Sequence, residues 1–149
     1  PLCPLEWFMQ VIAILVSVAF AGLAILHIYW ALGGKLDSGK MIPVADGKPV
    51  FTPGVLGTFL VAAALACFAA ISLALGFRGV VSVDYQPSIT FAGFAIGAVL
   101  VLRAIGEFKY VGFFKRVRGG DFATYDSLVY SPFCLLAGSA FLFLAANQP

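Results

Sequence analysis

The chain has 149 residues, of which 62% are hydrophobic and 11% charged, with a formal net charge of +2. A soluble domain carries about a quarter charged residues, and a globule this small has too much surface to hide so many apolar side chains, so a bilayer is the expected solvent. The hydrophobicity excludes a disordered chain, and so slight a positive charge provides no basic stripe for nucleic acid.

A helix needs about 20 predominantly apolar residues to cross the hydrocarbon, and four segments qualify: 7–32, 54–77, 88–110 and 126–146. The first is too long for the apolar core of a secretory signal and lacks a basic region before it. Because the sequence opens on Pro1, residues upstream of it are left open. His27, Tyr29 and Trp30 lie one to two turns before Gly33 and Gly34, which are expected to stop this helix. The loop 33–53 holds Gly33, Gly34, Gly39, Gly47, Pro43, Pro49 and Pro53, and is expected to be irregular. Within it, Gly34-Lys-Leu-Asp-Ser-Gly39-Lys40 spells the start of a phosphate-binding loop. Met41 stands where the magnesium-binding hydroxyl belongs, and the motif follows a membrane helix rather than a strand, so nucleotide binding is rejected.

The second span is alanine-rich around Ala62–Ala70, and a short connection, 78–87, leads to the third. There, Gly93-Phe-Ala-Ile-Gly97 is a GxxxG motif, which favours close packing between helices of this chain over dimerisation. Arg103, Glu107 and Tyr110 are spaced i, i+4 and i+7 and are expected on one helix face. An arginine within a span needs a partner or a path to water, and Glu107 is the expected partner. A third loop, 111–125, is basic and then acidic. The fourth span contains Pro132 and is expected to begin at a cap formed by Asp126, with the proline in its early turns.

The fold class is therefore an all-α integral membrane protein, a single-domain four-helix transmembrane bundle over residues 1–149. Loops one and three share one side of the membrane, with Lys35, Lys40, Lys48, Lys109, Lys115, Arg116 and Arg118, whereas the other side has Arg78. That asymmetry predicts loops 33–53 and 111–125 in the cytoplasm and both termini outside. Lys115, Arg116 and Arg118 read as topology determinants facing anionic lipid. Cys3, Cys67 and Cys134 fall at different depths, which disfavours a disulfide, and no metal-ligating spacing is present.

The polar residues of the spans gather at the cytoplasmic level. Four helix ends there carry His27, Trp30, Arg103, Glu107, Tyr110, Asp126 and Tyr130, which are expected around one inward-facing cavity as a polar cluster or ligand site. The plainer alternatives are a hydrogen-bonded interfacial histidine, belt aromatics at the headgroup level, and an ion pair that locks helices together.

His27-Ile-Tyr-Trp-Ala-Leu-Gly-Gly34 closes the first span, and Leu102-Arg-Ala-Ile-Gly-Glu-Phe-Lys-Tyr-Val-Gly-Phe-Phe-Lys-Arg-Val-Arg-Gly-Gly120 runs toward Asp126-Ser-Leu-Val-Tyr-Ser-Pro132. In these blocks the chain resembles a family of small bacterial four-helix membrane proteins known only as a domain of unknown function. The resemblance covers most of the chain and implies the same topology and a bacterial inner-membrane home. It carries over no activity, cofactor or catalytic residue.

Three functions are compatible with these residues. The favoured one is a non-catalytic accessory or structural subunit of a membrane complex, with the lipid bilayer, other membrane subunits or a second copy of the chain as partners. A binder or carrier of a small amphiphile, with Arg103 meeting a polar head, is the alternative. An intramembrane enzyme using His27 or Glu107 as acid or base is the third, and it lacks paired carboxylates, a nucleophile motif and a metal set. The sequence identifies no cofactor.

Overall fold

In the computed structural model, which describes residues 3–35, 38–45, 48–77 and 79–148, the apolar runs form long helices. Arg78, the single cation on the termini side, and Leu36 and Asp37 of the glycine–lysine motif lie outside the described residues. The elements are α1 (Pro4–Ala31), α2 (Ser38–Met41), a two-residue antiparallel pair β1 (Val44–Ala45) and β2 (Lys48–Pro49), α3 (Val55–Gly76), α4 (Gln86–Ile105), α5 (Asp121–Tyr125) and α6 (Ser131–Ala146). A single 3-10 turn, Val83–Tyr85, leads into α4, and a π-helical turn, Asp126–Tyr130, joins α5 to α6. The continuous helical stretches Pro4–Ala31, Val55–Gly76, Val83–Ile105 and Asp121–Ala146 are each long and apolar enough to cross a membrane. The chain is a multi-pass membrane protein built as an all-α four-helix bundle.

The helices pack as two antiparallel pairs, α1 along α3 and α4 along α6, with slighter contacts between the pairs. Small residues set the spacing where backbones approach, because helices in lipid associate through close van der Waals contact. A Cβ on Gly138 would lie 2.9 Å from the Gly97 carbonyl oxygen, and one on Gly97 would lie 2.7 Å from Leu142 Cγ. The GxxxG motif is thus used inside the chain. Phe20 is fully buried at the centre, with its ring against Phe68, Phe133 and Phe141. Buried Ser72 donates to the Ala13 carbonyl at 3.0 Å and ties α3 to α1. At the termini end, Gln148 donates to the carbonyls of Leu75 and Leu144 and accepts from Gln86.

Helix ends at the opposite, loop end decide where the polar residues go. α1 stops as its glycines dictate. The Gly34 amide donates to the Tyr29 carbonyl and the Gly33 amide to the Trp30 carbonyl, with Gly33 at φ +95°, a Schellman closure. The third span ends earlier than the expected 110. α4 stops at Ile105 because Gly106 adopts φ 91° and ψ 175°, a region essentially reserved for glycine. The chain then folds back on the helix end, and the amides of Phe113 and Phe114 donate to the carbonyls of Ala104 and Ile105. Gly106 and Gly112 lie back to back in this return, Gly112 also at positive φ, and a Cβ on either would collide with the other's backbone strand.

The fourth span also departs from expectation. It starts at Asp121 after Gly120, so Asp126 is not its cap but lies within it. Pro132 has no amide to offer the Leu128 carbonyl, and its ring would clash there in a regular α-helix. A π turn accommodates it, the Ser131 amide donating to the Asp126 carbonyl. Residues five apart point about 140° apart in an α-helix, whereas an i→i+5 turn stacks them on one face. That slip in register is why Asp126 and Ser131 are both fully buried.

Candidate functional site: a buried ionic cluster beside an interfacial cleft

The polar groups at the loop end divide into two assemblies rather than one cavity. The first is centred on Asp126, which is fully buried. Its Oδ1 accepts from Arg103 Nη2 at 2.8 Å. Its Oδ2 accepts from Lys115 Nζ at 2.9 Å and from the Gly112 amide at 2.8 Å. Lys115, with 2% of its side chain exposed, spends its remaining donors on the Gly112 carbonyl at 3.1 Å and the Ser127 hydroxyl at 2.6 Å. Every ammonium proton of Lys115 therefore has an acceptor inside the protein.

This arrangement corrects three expectations. Arg103 pairs with Asp126, not with Glu107. Because the helix ends at Ile105, Glu107 and Tyr110 are not on a shared helical face with Arg103; exposed Glu107 instead accepts the Tyr110 amide at 2.7 Å. Arg103 consequently lies in the last turn of α4, where a cation is favoured by the helix dipole, rather than deep in a span. Lys115 is not a lipid-facing topology determinant, since its ammonium is buried against Asp126. Sequence reasoning did not include Lys115 among the site residues, nor Gly112 and Ser127. The available signal was Gly106, whose type ends a helix and turns the following residues back.

The cluster holds two cations and one carboxylate, so it retains a positive excess. Arg103 Nη1 and Ser131 Oγ are buried without a hydrogen-bond partner among the described residues. Such an assembly is held by charge-assisted hydrogen bonds, three of them on the Asp126 carboxylate. Its geometry joins α4, the return loop 106–120 and the π turn at a single atom group.

Tyr130 is one turn from the cluster but serves a different contact. Its hydroxyl lies 3.3 Å from the Lys40 carbonyl and 3.1 Å from Met41 Sδ, and its ring stacks on Tyr125. It ties α2 to the fourth span. Tyr110 packs beside Pro43, Val44 and Val117, next to a void of only about 30 Å³.

His27 and Trp30 belong to the second assembly. An open cleft of about 500 Å³ lies between the end of α1, residues 41–42 and 51–54, and the first turns of α3. His27, Trp30, Ile42, Phe51, Thr52 and Gly57 are among its lining residues. The His27 ring meets Trp30 edge-on, 5.0 Å between centroids. His27 Nδ1 lies 2.8 Å from the Leu23 carbonyl oxygen, and since a carbonyl can only accept, Nδ1 carries the proton. In the neutral ring, Nε2 is then an acceptor on the edge away from the helix backbone. Among the described residues no group of three His, Cys, Asp or Glu converges to hold a metal ion, and Cys3, Cys67 and Cys134 are free thiols.

No curated protein and no solved structure matches it. A family profile described as "Protein of unknown function (DUF3995)" matches residues 20–141, a stretch that includes His27, Trp30 and the whole ionic cluster. The match covers most of the chain and agrees with the resemblance read from the two sequence blocks, so this four-helix membrane protein belongs to the DUF3995 family.

Proposed function

We propose that this chain is a non-catalytic component of a bacterial inner membrane, an accessory or structural subunit of a membrane complex. One observation carries the reading: the cluster's charged groups are turned on one another, with Asp126 accepting three internal hydrogen bonds and Lys115 donating three. An ionisable group in a span is ordinarily a functional candidate, but Asp126 and Lys115, bonded to one another and to the Gly112 backbone, join α4, the return loop and the π turn. The loop-end basic residues support a cytoplasmic location for loops 33–53 and 111–125, with both termini outside. The long row of exposed apolar side chains on α1 and α3, among them Leu15, Val18, Ile25, Leu56 and Leu60, suits contact with lipid or with a neighbouring membrane subunit.

Native mass spectrometry after gentle extraction from the native membrane tests the proposal. The expected result is a stoichiometric second polypeptide, retained in detergent. A chain that leaves its own membrane alone, under conditions that preserve other membrane complexes, overturns the accessory reading.

A further inference from the structure

We propose that the His27–Trp30 cleft is a binding site for a neutral, hydroxyl-bearing amphiphile that enters sideways from the bilayer. The cleft has the volume of a small-molecule site, about 500 Å³, and lies where the helix ends meet the loop, at the level where hydrocarbon gives way to headgroups. Its walls are mostly apolar, and Phe51 and Gly57 are exposed at its rim, so its mouth opens on the outside of the bundle rather than into its interior. Hydrogen-bonding capacity is confined to a few groups. The tautomer fixed by the Leu23 carbonyl leaves His27 Nε2 as an acceptor, and the Trp30 indole N–H has no partner among the described residues.

A hydroxyl both donates and accepts, which is the complement these two groups require. No lysine, arginine, aspartate or glutamate among the described residues lines the cleft, so an ionic head would lose its water without gaining a counter-charge. Lys40, next to the lining residue Met41, has its ammonium over the Tyr125 ring, 5.8 Å from the centroid, and Arg103 and Lys115 are held by Asp126. These points favour a neutral head with an acyl or prenyl chain lying along Val61 and Phe51. This inference stands apart from the accessory role, because it concerns residues that the ionic cluster does not use.

The test uses the two tryptophans, Trp7 and Trp30, which lie at opposite ends of α1. In a Trp7→Phe background only Trp30 fluoresces, and a monoacylglycerol with a brominated chain serves as quencher in detergent micelles. The expected result is saturable quenching, reversed by excess monooleoylglycerol, with oleate at alkaline pH competing at least about tenfold more weakly. Gly57→Leu fills the cleft where a Cβ meets nothing within 4 Å, so it leaves the fold intact and should abolish saturable quenching. His27→Phe keeps a ring against Trp30 but removes the acceptor, and should weaken binding about tenfold. Quenching that rises linearly without saturation, equal competition by oleate, or unchanged binding by the folded Gly57→Leu variant would each overturn the proposal.

Discussion

Asp126→Asn is the substitution that the ionic cluster makes most informative. The amide has the same shape, so packing is unchanged and the effect is electrostatic. Asparagine keeps one acceptor oxygen but replaces the other with an NH2, which would then face either Arg103 Nη2 or the Gly112 amide and Lys115 Nζ, all donors. Two buried or half-buried cations also lose the one counter-charge they have among the described residues. At about 4 Å each attraction is worth about 4 kcal/mol in a surroundings with an effective dielectric constant of about 20. Part of that is recovered because the carboxylate no longer has to be desolvated, and removing one partner from a buried pair leaves a net loss of about 3–5 kcal/mol. Lys115→Met is expected to cost less, about 1–3 kcal/mol. It leaves a neutral Arg103–Asp126 pair and strands the Gly112 carbonyl and Ser127 hydroxyl. Titration of the folded chain with SDS in mixed micelles, followed by far-ultraviolet circular dichroism, measures both. An Asp126→Asn variant within about 1 kcal/mol of the parent, or one less damaged than Lys115→Met, would refute the electrostatic argument.

Three other expectations follow from the backbone and the topology. Gly112→Ala should destabilise the fold by about 2 kcal/mol or more in the same titration, because a Cβ at positive φ meets Gly106 and the Ile105 carbonyl, and the Asp126 contact is lost with it. Gly138→Val should cost about 1–3 kcal/mol by forcing α6 away from Gly97 and Val101, whereas oligomeric state in size-exclusion chromatography should not change. With Cys67 and Cys134 replaced by Ala, the exposed Cys3 should react with a membrane-impermeant maleimide on intact cells, while a Lys48→Cys reporter in the same background should react only after permeabilisation. The reverse pattern would invert the proposed orientation.

The spans were legible because length and apolarity are sufficient to specify a transmembrane helix. The Gly33-Gly34 stop and the internal use of GxxxG were legible for similarly local reasons: a glycine supplies positive φ, and small residues permit close approach. The third span was read too long because Phe108, Tyr110 and Val111 continue the apolar character past Gly106, and composition does not register a backbone that turns. The Arg103–Glu107 pairing followed from that error, since the i, i+4 rule holds only where the helix continues. Asp126 is of a type that caps helices and stands before the last apolar run, although Gly120 followed by Asp121 offers an earlier start. The π turn lets the helix run through the proline instead. Burial of Lys115 was the hardest feature to foresee. Lysines are rarely buried, and its partner is eleven residues away across a loop, so only the tertiary fold brings the two together.

His27 and Trp30 lie at the end of α1, apart from the arginine. Topology fixes the depth of a residue and leaves open which neighbour its helix face meets. Here α1 pairs with α3 and α4 with α6, which separates the two assemblies.

We propose that the ionic cluster maintains the fold and takes no part in chemistry or partner recognition. Replacing it whole tests that claim most directly, because an apolar cluster of matched volume avoids the cost of a stranded charge. The variant carrying Arg103→Met, Lys115→Met and Asp126→Leu together should fold, lie closer in stability to the parent than Asp126→Asn does, and co-purify from its membrane with the same second polypeptide at the same stoichiometry. A triple variant that is folded by circular dichroism yet loses that polypeptide would contradict the account and assign the charges a role in recognition.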